Sequence, residues 1–140
     1  MTDRRYYSIP AHAVAALFGG PLAAIAFATI EAHSLGRLRR DLPWLAAGLI
    51  AFLVAARAAA GSGLLDRALE DLGTQRLPTW EHLAYRVAAL AMFTGCWLLH
   101  RGERRALAAA GVAPVAGYAA GLVAMVIGLV GGTLALLALR

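Results

Sequence analysis

Two groups of residues in this 140-residue chain have side chains that could do chemistry. The first is Arg57, Arg86, His12 and Tyr85, which hydropathy places toward one end of the apolar runs. Charge inside a bilayer is costly, so an arginine there is a candidate contact for an anion or substrate, unless it snorkels to the surface or pairs with an acid such as Glu81. The second is Glu31, His33 and His100, toward the opposite end. Carboxylate and imidazole together can transfer protons or bind zinc. On a helix, though, Glu31 and His33 project about 200° apart and cannot both face one ion. Interfacial polar residues are therefore the expected reading, with no metal and no cofactor.

Reaction signatures are absent. Ser8, Ser34 and Ser62 have no supporting His-and-acid pattern, and there is no HExxH, phosphate loop or dinucleotide fingerprint. The glycine-rich stretches lie inside apolar runs, which argues against phosphate cradling. The lone Cys96 lies in an apolar run and suits a small packing residue. The expectation is a protein that is not an enzyme.

The elements that must position these residues are membrane helices. Ala106 to Leu139 is 34 residues without a charged side chain, enough for a helix of roughly 50 Å, against a hydrocarbon core of about 30 Å. Hydrophobic residues make up 61% of the chain, above the 45–50% usual for soluble domains, and the mean hydropathy is +0.68. The sequence predicts an all-α membrane protein in a single domain. It has four spans at about 9–30, 42–60, 83–100 and 115–139. A short amphipathic surface helix at about 63–73 carries Leu64, Leu65, Ala68, Leu69 and Leu72 on one face. The first run is too long for a secretory leader and is expected to be retained.

All 13 basic residues are arginine, which suggests a GC-rich bacterial genome and an inner-membrane location. They cluster at the ends of apolar runs, as topology signals and headgroup contacts do; nucleic acid is not an expected partner. With four spans, six arginines fall on the side of the first and third loops and five on the other, which predicts both termini outside.

Two glycine patterns bear on packing. Gly19-Gly20-Pro21 near the middle of the first run predicts a kink, since Pro21 cannot donate a backbone hydrogen bond. In the last run, Gly121, Gly128 and Gly132 fall within about 60° of Gly117 around the helix. Such a small-residue face is the contact surface expected in membranes, either within one copy or between copies of the chain. The last run is expected to break at Pro114, with Ala106 to Val112 near the interface. The expected partners are the lipid bilayer and either a second copy or another membrane protein. A small oligomeric transporter or channel with a polar site near Arg57, Arg86 and His12 is the alternative.

One segment has a wider likeness. Tyr7-Ser8, then Leu17-Phe18-Gly19-Gly20-Pro21-Leu22-Ala23, then Leu35-Gly36, resembles a group of small, uncharacterised bacterial polytopic inner-membrane proteins. Their first span carries an FLGGPLA-type core, followed by an Asn-Tyr…Leu-Gly ending and a basic loop. Glu31 stands where that pattern has Asn, and His33 replaces a basic position. The likeness implies a multi-pass inner-membrane protein and brings no activity with it.

Overall fold

The computed structural model describes the backbone of residues 5–62 and 79–139 and the side chains of 5–58 and 86–134. The described residues form four helices: α1 (Ile9–Ser34), α2 (Leu38–Ser62), α3 (Thr79–Ala109) and α4 (Tyr118–Leu139). The surface helix expected at 63–73 lies outside the described residues. The α3 helix continues through Ala109, so Ala106 to Ala109 extend it rather than forming an interfacial lead-in. Pro114 sits in the following turn, and α4 begins at Tyr118.

The largest departure from expectation is in α1. At Gly20 the backbone takes φ 76° and ψ −166°, which only glycine adopts readily. The result is a reversal rather than a kink. In a continuous helix His12 and Phe27 would stand about 22 Å apart. Instead their rings stack with centroids 4.5 Å apart. Tyr7 reaches the same Phe27 edge-on at 5.6 Å, and the Ser34 hydroxyl donates to the Arg5 carbonyl at 2.8 Å. Residues 9–19 and 21–34 are therefore two antiparallel legs of a helical hairpin with Gly19-Gly20-Pro21 at its tip. Pro21 fits because the first turn of the second leg has no use for its missing N–H.

The two ends of the hairpin are tied down at its base. Ser8 N–H donates to the Val115 carbonyl and Val115 N–H to the Tyr6 carbonyl, both at 2.9 Å. The Ser8 hydroxyl, free of a capping role, donates to the Ala116 carbonyl oxygen at 2.8 Å. Apart from the single bridge between Tyr7 and Val115, the described residues hold no strand. At the other end Gly36, at φ 69°, terminates the second leg, and Arg37 N–H returns to the Ala32 carbonyl at 2.8 Å.

The hairpin is the centre of the molecule and packs against all three other helices, most extensively against α4. The glycines of α4 explain how. A Cβ on Gly121 would stand 3.3 Å from the Ala11 carbonyl oxygen. One on Gly128 would collide with the Gly19 carbonyl oxygen and with Ala23. Gly131 faces Leu22, and Gly132 is buried. The α4 helix thus runs from hairpin base to tip along a glycine seam inside one copy of the chain. Gly117 serves the base instead. It precedes the helix at φ 70°, and a Cβ there would strike the Tyr7 ring at 2.8 Å. The α3 helix closes the other side, with Phe93 edge-on to His12 at 4.9 Å and Cys96 in a cluster with Ile25, Ala28, Ala32 and Leu45.

By length and composition, Ile9–Ser34 and Leu38–Ala58 are apolar enough to cross a membrane, although the reversal at Gly20 divides the first into two shorter legs, and Tyr118–Leu134 is a shorter apolar helix. These support a membrane location. The polarity of the surface agrees: Ile50 and Val54 on α2, and Leu122, Leu129, Val130 and Leu134 on α4, are all exposed, whereas Glu31, Asp41 and His100 are buried.

Candidate functional site

The buried charges converge at the hairpin base. Glu31, on the second leg, is fully enclosed, and three groups reach it. Arg104 of α3 donates from Nη2 to Oε2 at 2.6 Å. His100, one turn earlier on the same face of α3, places Nδ1 3.2 Å from that same oxygen. The Tyr7 backbone N–H, from the segment entering the first leg, donates to Oε1 at 3.4 Å. The other nitrogen of His100 lies 3.3 Å from Oδ2 of Asp41, in the first turn of α2, where a carboxylate favours the positive helix end. That contact is close but not aligned as a hydrogen bond, and both Asp41 oxygens are without one. Arg37 completes the set, 3.6 Å from Asp41 and 2.8 Å from Glu103.

Taking ions out of water costs several kcal/mol each, and their attraction offsets this only with good geometry and further hydrogen bonds. Glu31 meets that condition through the guanidinium, the imidazole and the backbone N–H, which come from two separate segments. Its chemical effect is to fasten α1 to α3, while His100 bridges onward to α2.

The structure thus brings Glu31 and His100 together. His33 does not join them: it is exposed, because two residues along a helix point to nearly opposite faces. Asp41 and Arg104 are members that spacing alone could not assign, since the contacts that join them to Glu31 and His100 span tens of residues. Among the described residues no group of three or more His, Cys, Asp and Glu side chains is placed to hold a metal ion.

Of the residues expected at the other end, His12 is set apart from the two arginines. His12 is fully buried inside the hairpin, between Phe27 and Phe93, with Nε2 3.1 Å from the Ala24 carbonyl oxygen. Arg86 is exposed on α3, seven residues before Phe93 and so about 10 Å further along the axis. Arg57 is exposed on α2. The side chain of Tyr85 lies outside the described residues.

Beside the charged cluster is an open cavity of about 400 Å³. Tyr6, Tyr7, Trp97, Arg101, Arg104 and Arg105 line it, together with apolar groups from both sides. Arg104 belongs to both the cavity and the cluster. Comparison with known protein families, with characterised proteins and with solved structures finds no match for this chain.

Proposed function

We propose that this is a non-enzymatic, multi-pass protein of the bacterial inner membrane that acts by associating with another membrane protein or a second copy of itself. One observation carries the reading: α2 is apolar enough to cross a bilayer, yet only 11% of its most apolar window is buried. Its exposed surface includes Ala47, Ala51 and Ala55, a file of small residues four apart. Small residues at that spacing let helix backbones approach closely, which is how helices associate in lipid. The equivalent file on α4 is already used against the hairpin. In support of a role without catalysis, Glu31 and His100 are fully buried and turned toward each other and Arg104 rather than toward an open cleft. The transporter alternative needs Arg57, Arg86 and His12 around one hydrated space, and the sealing of His12 between two phenylalanines favours association. The likeness of residues 7–36 to small polytopic inner-membrane proteins belongs to the same proposal.

The test is disulfide or maleimide cross-linking in native membranes with cysteines placed singly at Ala47, Gly48, Ile50, Ala51 and Ala55, in a Cys96→Ala background. Adducts at Ala47, Ala51 and Ala55, with little at Gly48, support the α2 interface. Equal reaction at every position, or none, overturns it.

The proposed orientation follows from the hairpin. Because α1 reverses, the N-terminal segment shares an end with the turns at 35–37 and 110–117. Seven of the 13 arginines lie there among the described residues: Arg5, Arg37, Arg39, Arg40, Arg101, Arg104 and Arg105. Arginine excess marks the cytoplasmic side, so that end faces the cytoplasm, and three crossings by α2, α3 and α4 carry the C-terminus to the other side. This replaces the four-span arrangement with both termini outside. Cysteines substituted for Arg5 and Arg39 should both react with an impermeant maleimide in inverted vesicles and stay protected in intact spheroplasts. Labelling of the two from opposite faces rules out the hairpin.

A further inference from the structure

We infer that the cavity at the hairpin base is a binding site for an anionic phospholipid, with the headgroup phosphate held by Arg104, Arg101 and Arg105 and an acyl chain lying along the apolar wall. The inference rests on the membrane reading above.

Four observations carry it. The cavity, at about 400 Å³, falls within the range of sites that enclose small ligands. Its charge has one sign: the three charged side chains on its lining are all arginines, and the acids of the neighbouring cluster do not line it. Arg104 is only 6% exposed, and although Nη2 is bound to Glu31, its Nε and Nη1 are buried without a hydrogen-bond partner. A guanidinium recognises phosphate through paired N–H groups, so two unused nitrogens on a buried arginine are an unmet demand for an oxyanion. Two other polar groups of the lining are already engaged: Tyr6 OH donates to the Val112 carbonyl and the Ser8 hydroxyl to the Ala116 carbonyl.

The rest of the lining suits the tail rather than the head. Ile9, Pro10, Ala108 and Trp97 make it largely apolar, and the Arg101 guanidinium is held over the Trp97 ring at 5.5 Å from its centroid. A free inorganic anion would gain nothing from such a wall. A phospholipid would bury a chain there and meet the arginines at headgroup level, on the arginine-rich side where anionic lipids collect. Basic pockets between helices on that side are how lipid phosphates are recognised in general.

The test uses the full chain with Trp44→Phe and Trp80→Phe, leaving Trp97 as its one tryptophan. The protein is reconstituted in phosphatidylcholine vesicles containing increasing amounts of brominated phosphatidylglycerol, or of brominated phosphatidylcholine as the neutral control. Bromine quenches an indole in contact with it. The expected result is that the anionic lipid quenches Trp97 at a mole fraction about tenfold lower than the neutral one. Arg101→Gln with Arg105→Gln should abolish that preference while leaving the unfolding temperature unchanged. Arg104→Gln also disturbs Glu31, so the Arg101 and Arg105 pair carries the test. Equal quenching by both lipids overturns the inference. Loss of the preference on adding millimolar inorganic phosphate also overturns it, by assigning the arginines to a free anion. A protein that fails to enter vesicles at all overturns the membrane reading instead, so the two failures are distinguishable.

Discussion

Glu31→Ala should be the most damaging single substitution in the chain, lowering stability by about 3–5 kcal/mol, because it leaves buried charge without its partner. Arg104 would lose its ion-pair partner at 2.6 Å while remaining almost fully enclosed, and His100 would keep only the unaligned Asp41 contact. The Tyr7 N–H would also go unmet at the mouth of the hairpin. Unfolding of the purified protein in mild detergent, followed by circular dichroism, measures the effect. A double variant separates the pair from its surroundings. Glu31→Leu with Arg104→Leu removes both charges together, and should be less destabilised than Glu31→Leu alone, because no orphaned ion remains. Equal losses in the single and double variants would show that Glu31 acts through shape rather than charge.

The second large effect concerns the glycine seam. Gly128→Ala adds one methyl, and that methyl would fall on the Gly19 carbonyl oxygen and on Ala23 at the hairpin tip. Both are held by backbone, so α4 and α1 must separate rather than a side chain turn aside. Overpacking of this kind costs about 1–3 kcal/mol or more. Gly95→Ala, on the exposed face of α3 with nothing within 4 Å of its Cβ, is the matched control. It should be neutral or stabilising by about 0.5–1 kcal/mol, since alanine loses less backbone entropy in a helix. If Gly128→Ala unfolds at the same temperature as Gly95→Ala, α4 does not lie against the hairpin.

The helical character of the chain was legible in apolar runs too long for anything but helices. The small-residue face of the last run was legible too, because 3.6-residue periodicity is a local property. Its partner was not: whether Gly121 and Gly128 face their own chain or a second copy depends on α1, which is distant in sequence. The reversal at Gly20 was hidden for a related reason. Gly-Gly-Pro permits either a bend or a full turn, and the choice is made by contacts such as His12 with Phe27 and Gly19 with α4. In the charged cluster, Glu31 and His100 stood out as polar residues at the ends of apolar runs. Arg104 did not, because it sits among Arg101 and Arg105 in a group that looks like a topology signal. Only the pairing with Glu31 separates it from its neighbours.

The hairpin also sets an order of events during synthesis. Glu31 leaves the ribosome long before its partners, since His100 and Arg104 follow more than 60 residues later. Each leg alone is about 16–21 Å long, shorter than the roughly 30 Å of a bilayer core, so the folded hairpin is held by the rest of the chain rather than by its own length. The seam that receives the tip, from Gly121 to Gly128, is made later still. The first apolar stretch to be translated is therefore the last to reach its final place, completed only when α3 and α4 arrive.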